Sequence, residues 1–419
     1  MAAVDGEAQK IGIALSGGGS RAIAFHLGCL RTLDRLGILK KARVLSTVSG
    51  GSVIGAMYAT HEGRFAEFEH RVRATLETGF IRPALRTAFT TPEGVKATAS
   101  FLWLTLIGSC LTAFRSAAWI ASWVIPGQQL DNVGAVFDRW VPRRFASRTT
   151  ILRRTFDNLL FEGKTLGELR SDRPRLITVA AELRTGSAFY FSSNEAGSYR
   201  LGSVDPTRIH IAQAVTASAA YPFFLPALDE LVTCRRPDGS LRTERVTLTD
   251  GGVYDNLGLA PLWPDRDPKM SIGVEAIDTI VACRAGYGRR MGNPSLFAVS
   301  RMKAAFACLF DRAQNHATKR LFDLKVAGRL KGFVLPYLDQ DDRHLAYAPT
   351  DLVRRAAVAD YPTNFSAMPV EWIERLSKRG EQLTLAVIRE HAPQLLPPDW
   401  KDDSILVQTS RTTAAVTQP

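Results

Sequence analysis

The sequence contains few cysteines, and they are not arranged in pairs. Its 419 residues include five cysteines, none of them in a C-x-x-C pair: Cys29, Cys110, Cys234, Cys283 and Cys308. A scattered, odd-numbered set argues against a disulfide framework. We therefore predict buried, reduced thiols and a reducing compartment, such as the cytoplasm.

Other common signatures are also missing. The segment 1–10 has neither a basic region nor an apolar region, so we expect no standard secretory signal, although signal-independent export stays open. No G-x-x-x-x-G-K-(S/T) motif occurs, which argues against a P-loop nucleotidase. No internal repeat is found.

The composition is that of a folded globular protein. Hydrophobic residues make up 46% of the chain and charged residues 22%, and this length can bury one large core or two modest ones. The net charge of +12 favours anionic partners, namely a membrane surface, nucleic acid or acidic substrates. A basic proteome or a solubility trait would give the same charge, so charge alone does not select the partner.

The N-terminal part of the chain alternates strands and helices. An apolar strand, Ile11–Leu15, leads into a glycine-rich loop at 16–21 and then a helical pattern that extends from Ala22 to about Leu36. A second strand begins at Val44 and another helix follows it. This order predicts a parallel sheet covered by helices.

The turn after the second strand places Ser49 at its apex. A sharp strand-to-helix turn lifts one side chain clear of the sheet, and the next N–H lies at a helix N-terminus. In the G-x-S-x-G pattern of such turns, Gly51 fills the second glycine position, but Thr47 stands at the first. This stretch indicates a serine nucleophile, while an ordinary turn with Ser49 as the helix N-cap is the alternative.

Ser52 is a rival for the apex. Gly50 lies two residues before it, but Ile54 then occupies the other glycine position. Ser52 would also lie one turn inside the helix, which favours Ser49.

The glycine loop admits two interpretations. Gly17, Gly19 and Ala22 fit a loose dinucleotide-binding fingerprint, which also needs an acidic residue near the end of the second strand. That strand ends without one. The loop fits an oxyanion site better, because successive glycine N–H groups at a helix start bind negative charge.

An apolar segment interrupts the α/β pattern. The chain carries no charge from Ala97 to Phe114, and a second apolar run extends from Ala117 to Ile125. A set of arginines follows, with no acid between Asp138 and Asp157: Arg139, Arg143, Arg144, Arg148, Arg153 and Arg154. Apolar surface beside basic residues suits an interfacial segment or a lid, which we favour over a transmembrane span. A buried helical pair with a solvated basic face is the alternative.

A third informative stretch surrounds Asp250. A strand ends at this residue and two glycines follow, which puts a carboxylate at the sheet edge where α/β sites form. The seven histidines lack such a context, and we expect His26, inside the first helix, to be packed. A buried aspartate with a raised pKa can replace histidine as the base. We therefore predict a Ser49–Asp250 dyad, with Asp255 as the fallback acid.

These stretches together resemble the patatin-like phospholipases in order and spacing. The matching residues are 16–21, the Ser49 turn, 217–222 and 250–256. The resemblance implies a three-layer α/β/α sandwich with a mainly parallel central sheet, and hydrolysis of lipid acyl esters by the dyad. It also implies an oxyanion hole built from Gly17, Gly18 and Gly19, with Arg21 holding the loop. It implies no metal for the chemistry, and we expect no cofactor.

The resulting expectations cover organisation and partners. We predict a single catalytic domain over residues 8–400, a helical apolar and basic insertion over 85–150, and a flexible tail over 403–419. The expected activity is that of a phospholipase A-type acyl hydrolase. The alternatives are a thioesterase or general carboxylesterase with the same dyad, or a catalytically silent membrane-binding protein.

The expected partners are a lipid or phospholipid substrate and an anionic membrane surface, without nucleic acid. The oligomeric state is open. We expect a cytoplasmic protein at the membrane periphery, with a single span at 97–125 as the less favoured option.

Overall fold

The computed structural model describes residues 9–122, 142–268, 273–286 and 296–398, together with 271, 293, 400 and 406–408. The strands are β1 (Ile11–Leu15), β2 (Ala42–Thr47), β3 (Arg175–Glu182), β4 (Ser187–Ser192), β5 (Ala196–Ser198), β6 (Gly202–Val204), β7 (Leu228–Arg235), β8 (Leu241–Asp250), β9 (Thr279–Cys283), β10 (Gly332–Val334), β11 (Tyr347–Pro349) and β12 (Leu406–Gln408). The α-helices are α1 (Gly19–Arg35), α2 (Ile38–Lys41), α3 (Gly50–Ala59), α4 (Phe65–Thr78), α5 (Ile81–Thr90), α6 (Pro92–Ser122), α7 (Arg148–Phe156), α8 (Ile211–Ser218), α9 (Gly252–Asp255), α10 (Ala298–Val326) and α11 (Val370–His391).

The central sheet has a parallel part and an antiparallel part. Strands β10, β9, β1, β2 and β3 pair in parallel in that order. Strands β4 to β8 continue it with antiparallel pairs, and β8 returns to pair with the C-terminal end of β3. The parallel part has helical crossovers, as parallel pairing requires, whereas short turns connect most of the antiparallel strands; between β6 and β7 the chain instead forms α8.

Helices cover both faces of the parallel part, so the fold is the expected three-layer α/β/α sandwich. Side chains of a strand alternate between faces. Ile11, Ile13 and Leu15 of β1 pack into the larger apolar core with α1, α3 and α11. Ala14 faces the smaller core, which the segment 257–263 and α10 complete.

Helices α1 and α11 pack unusually close together. A Cβ at Gly28 would collide with the Ser377 carbonyl, and one at Gly380 would collide with the Phe25 carbonyl. Glycine at both positions lets the two backbones touch, and this contact holds the first helix behind the loop at 16–18.

Helix α6 differs from every core helix. Pro92–Phe114 is long and apolar enough to cross a membrane by length and composition alone, yet only 6% of its apolar window is buried. Its exposed side chains include Phe101, Leu102, Trp103 and Leu106. Residues 97–122 belong to one continuous helix, and its apolar part up to Phe114 is largely exposed, so the alternative of a buried helical pair is wrong there; 123–125 lie outside the described residues.

The basic cluster after α6 is partly neutralised by β7. Glu230 pairs with Arg143 and Arg153, while Arg148 and Arg154 have exposed side chains. Arg139 lies outside the described residues.

Several other expectations need adjustment. Two cysteines expected to be buried, Cys110 and Cys308, are exposed on α6 and α10. The strands β5 to β7 were not predicted. Most of the expected tail, 403–419, lies outside the described residues, and its described part, β12, pairs with β11.

Candidate active site

Ser49 occupies a sharp turn between β2 and α3. Its φ of 52° and ψ of −119° lie in a region that non-glycine residues rarely adopt, and its side chain is buried but for 8%. Such strain persists only where the surrounding structure enforces it, and it is typical of functional sites. The backbone therefore has the nucleophile-elbow form that the sequence predicted.

Thr47, the departure from the glycine pattern, is accommodated by the next helix. A Cβ on Gly55 of α3 would lie 2.5 Å from the Thr47 methyl carbon. The Thr47 hydroxyl also contacts the Thr178 hydroxyl at 3.2 Å. The G-x-S-x-G pattern leaves space at position 47 by having glycine there. In this chain Gly55 of α3 leaves the space that the Thr47 methyl group needs.

Ser218, at the C-terminal end of α8, holds the turn from the side. The Ser49 N–H donates to the Ser218 Oγ at 2.9 Å, and the Ser52 and Ser218 hydroxyls are 2.8 Å apart. Ser52 is fully buried inside α3. The rival apex is therefore a supporting residue, and Ser218 has a positioning role that the sequence did not predict.

Asp250, the last residue of β8, lies beside Ser49. Burial raises the pKa of its carboxyl to about 6, although hydrogen bonds from the Gly252 N–H, at 2.7 Å, and from the Ser49 side chain favour the charged form. The Asp250 N–H and the Thr249 hydroxyl both donate to the Ala220 carbonyl, which fixes this strand end against the end of α8. The structure thus brings together the two residues of the predicted dyad.

Asp255, the fallback acid, has a different set of partners. Its carboxylate accepts the N–H groups of Leu257, Gly258 and Ala260 at 3.1, 3.2 and 2.6 Å. Burial raises its pKa, and these backbone hydrogen bonds oppose that rise. Its acceptors are committed to the turn that follows α9.

The glycine loop lies against the serine turn. A Cβ at Gly17 would lie 3.2 Å from the Ser49 Cβ, and one at Gly50 would collide with the Gly19 carbonyl. The Gly17 N–H donates to the Asn256 carbonyl at 3.1 Å. Within the described residues, the amides of Gly18, Gly19 and Gly50 have no hydrogen-bond acceptor. Three N–H groups at two adjacent helix starts are thus free to bind an anion.

Arg21 connects this loop to two distant segments. The guanidinium of this buried side chain donates to the Ala285 carbonyl at 3.1 Å and to the Tyr361 carbonyl at 3.4 Å. On the far side of the loop, Ser20 donates its N–H to the Asn364 carbonyl at 2.8 Å. These contacts fix the loop after β1.

No histidine competes with Asp250 for the serine. All seven histidines lie within the described part of the chain, and none of them is a hydrogen-bond partner of Ser49 or Asp250 there. His26 instead contacts the Ser16 carbonyl through Nε2 at 2.9 Å.

Aromatic side chains surround the approach to Asp250. A Cβ on Gly252 would lie 2.9 Å from an Asp250 carboxylate oxygen and 3.3 Å from the Phe310 ring. The neighbouring rings, Tyr221, Phe223, Phe224 and Phe306, contact one another, and the ring centroids of Phe223 and Phe306 are 5.5 Å apart. Phe306 and Phe310 lie on α10, and their ring centroids are 6.1 Å apart.

A polar cavity of about 750 Å³ lies elsewhere in the molecule. Its lining includes Asp34, Tyr58 and Arg173 but neither Ser49 nor Asp250. It contributes nothing to this site.

The comparisons with solved structures concern the fold. The human GIVD cytosolic phospholipase A2 structure is similar to this one at a TM-score of 0.52 and 12% identity, over 93% of this chain and 59% of that chain. VipD from Legionella pneumophila aligns over 92% of this chain and 67% of its own, at 15% identity and a TM-score of 0.39. The chain thus spans well under two thirds of the human enzyme's length. No curated protein matches the sequence.

The family comparison is more direct. A family model described as patatin-like phospholipase matches residues 13–263, which is more than half of the chain and includes the glycine loop, the serine turn and Asp250. The chain belongs to the patatin-like phospholipase family.

Proposed function

We propose that this protein hydrolyses fatty-acyl esters of phospholipids through an acyl-enzyme on Ser49, with Asp250 as the general base. Family membership supports lipid acyl hydrolysis at the level of the family. The observation that carries the proposal is the strained Ser49 beside the carboxyl of the buried Asp250, with no histidine as a hydrogen-bond partner of either residue in the described part of the chain.

The reaction follows from the dyad. The Ser49 Oγ attacks the ester carbonyl while Asp250 accepts its proton, and the protonated carboxyl then returns the proton to the leaving alcohol. Water, deprotonated in turn by Asp250, releases the fatty acid from Ser49. A carboxyl with a pKa of about 6 is mostly ionised at neutral pH yet basic enough for this transfer.

The amides of Gly18, Gly19 and Gly50 stabilise the tetrahedral oxyanion. They lack an acceptor within the described residues and lie at the starts of α1 and α3, where the helix dipoles favour negative charge. Gly17 has another role: its amide is used by Asn256, and its missing side chain lets the loop approach Ser49. Arg21 positions the loop.

The aromatic side chains near Asp250, here called the aromatic rim, favour a substrate with a long acyl chain rather than a small ester. Phe223, Phe224 and Tyr221 extend from the α8 end, while Phe306 and Phe310 extend from α10, so an apolar surface leads toward Asp250. Phe224 is 58% exposed, and Lys303 lies over its ring. An acyl chain would cover rings that water now contacts.

Exposed apolar and basic residues support docking on an anionic bilayer. α6 has Phe101, Leu102 and Leu106 in solvent, and α10 has Met302 and Leu309. Exposed Arg148 and Arg154, and Arg301 and Lys303 beside the rim, add positive charge. Apolar insertion with basic side chains at the headgroups is the usual peripheral mode.

The test is fatty-acid release from liposomes of mixed anionic phospholipids. We expect release by wild type, none by Ser49→Ala, strongly reduced release by Asp250→Asn, and unchanged release by Ser240→Ala, a control in the β7–β8 turn. Release by a folded Ser49→Ala variant at the wild-type rate would refute the nucleophile assignment.

Substrate panels separate the alternatives. Faster turnover of acyl thioesters or short soluble esters than of phospholipids would favour the thioesterase or carboxylesterase. Liposome binding without turnover of any ester would favour the silent membrane-binding protein. Sedimentation with anionic but not zwitterionic vesicles, reduced by Leu102→Ser and Leu106→Ser but not by Leu241→Ser on β8, tests the docking surface.

A further inference from the structure

A second group of reactive side chains lies behind the glycine loop. His26, Cys29 and Cys283 are all fully buried, and one potential ligand atom from each lies within 4.8 Å of the other two. His26 and Cys29 are three residues apart on α1, so they share one helix face. Cys283 ends β9, next to Leu15 of β1. The proposed dyad uses none of these three residues.

The hydrogen bonds of His26 are those of a metal-ligating imidazole. Its Nε2 lies 2.9 Å from the Ser16 carbonyl, which can only accept, so Nε2 carries the proton and Nδ1 has a bare lone pair. Nδ1 is buried and has no hydrogen-bond partner in the described residues. A ligating histidine typically donates its other N–H to a carbonyl in this way, which fixes the ring and its tautomer.

The two thiols complete a soft donor set. Cys29 and Cys283 are close enough for their side chains to interact, and Cys29 also makes a weak sulfur contact with the Gly380 carbonyl at 3.7 Å. In a tetrahedral zinc site, neighbouring sulfur and nitrogen ligands are about 3.5–3.8 Å apart. Side-chain rotations that move the ligand atoms by about 1 Å would therefore bring all three within bonding distance of one ion.

We propose that His26, Cys29 and Cys283 bind one thiophilic d10 cation, Zn²⁺ in the cell, in a structural site that holds the glycine loop. Two thiolates neutralise a divalent ion, so the buried site carries no net charge. Binding releases the two thiol protons and involves no change of oxidation state.

The site is coupled to the loop through Ser16. The Ser16 carbonyl faces His26, its N–H donates to the Cys283 carbonyl at 3.1 Å, and its hydroxyl accepts the Ala285 N–H at 2.8 Å. Ala285 in turn accepts from Arg21. A cation would therefore link α1, the end of β9 and the loop that precedes Gly17.

Cadmium is the probe, because it replaces zinc at thiolate sites and gives an ultraviolet thiolate-to-metal absorption. The reduced, full-length protein is titrated with Cd²⁺. We expect one ion per chain, an absorption band at that stoichiometry and a higher Tm. The double variant Cys110→Ser/Cys308→Ser removes the two exposed thiols and is expected to keep all three signals.

The ligand variants give the opposite result. Cys29→Ser and Cys283→Ser are each expected to lose the band and the Tm increase, while circular dichroism confirms that they fold. His26→Gln is expected to weaken Cd²⁺ binding by about 10–100-fold. Absence of the band in the reduced wild type, or a band that is lost only in the exposed-cysteine variant, would overturn the proposal.

Metal binding can be measured independently of hydrolysis. The proposal concerns a structural ion, so Cd²⁺ or Zn²⁺ binding is expected in Ser49→Ala as in wild type. Metal binding therefore stands or falls separately from the proposed dyad.

Discussion

The end of β8 and the end of α9 each carry an aspartate, Asp250 buried and Asp255 partly buried, and the two have different surroundings. Asp250 accepts one backbone N–H and faces Ser49, whereas Asp255 accepts three backbone N–H groups. Burial raises the pKa of both. The hydrogen-bond partners therefore distinguish the two residues. The Asp250 carboxylate lies next to the Ser49 hydroxyl and can accept its proton, whereas the Asp255 carboxylate accepts three backbone N–H groups and holds a turn.

The largest expected effect is on turnover. Asp250→Asn removes the proposed base, and we expect ester hydrolysis to fall by about 10²–10⁴-fold. Asp255→Asn keeps the dyad, so we expect turnover per folded molecule within a few-fold of wild type. Initial rates, corrected for folded fraction, provide the check. Equal losses in the two variants would abolish the distinction between the two aspartates.

The next effect is on the free energy of unfolding. Here the Asp255 variant, not the Asp250 variant, is expected to be the impaired one. The raised pKa of Asp250 means that its contribution to stability is present below about pH 4 and is lost as the pH rises through 6. We expect Asp250→Asn to stabilise the protein at pH 8 by up to about 3 kcal/mol, because the buried charge is removed.

Asp255→Asn should destabilise the protein by about 1–3 kcal/mol, because its new NH₂ group faces a backbone donor. Urea unfolding at pH 8 measures both variants. Destabilisation by Asp250→Asn together with no effect of Asp255→Asn would contradict the comparison.

The pH dependence of hydrolysis also distinguishes Asp250 from Asp255. Since Asp250 must be ionised to act as a base, hydrolysis should rise with pH, with a midpoint near 6, and level off above about pH 7. The Asp255→Asn variant should keep this midpoint. A profile of kcat/KM between pH 4.5 and 8.5 is the measurement, and a midpoint near 4 would indicate a different base.

The smallest expected effect tests the strain at Ser49. Ser49→Gly should be more stable than Ser49→Ala by about 1 kcal/mol, because glycine tolerates a φ of 52°. Thermal unfolding compares the two inactive variants, with Ser240→Gly against Ser240→Ala as the control pair. Equal stability of the Ser49 pair would mean that the turn is not strained.

The sequence predicted the parts of this site that depend on local pattern. The strand before the glycine loop, the Ser49 turn and the strand end at Asp250 each have turn residues and apolar runs that are visible within a few positions. Their order also indicated the family, which the family model confirms.

Contacts between distant segments were not predictable in this way. Ser218 supports Ser49 from 169 residues away, and the Gly17 amide is used by the Asn256 carbonyl. Thr47 fits because Gly55 leaves room for its methyl group. Short strands such as β5 and β6 depend on tertiary pairing, because too few residues alternate for a pattern to emerge.

The most direct test of the dyad is to label the nucleophile with an alkyl fluorophosphonate, which forms a phosphonyl-serine with loss of fluoride, and to map the modified peptide by mass spectrometry. We expect one adduct per chain on Ser49, formed at a rate that increases with pH through about 6 and is strongly reduced in Asp250→Asn. An adduct on Ser52 or another serine, or unchanged labelling of Ser49 in Asp250→Asn, would contradict the proposed dyad.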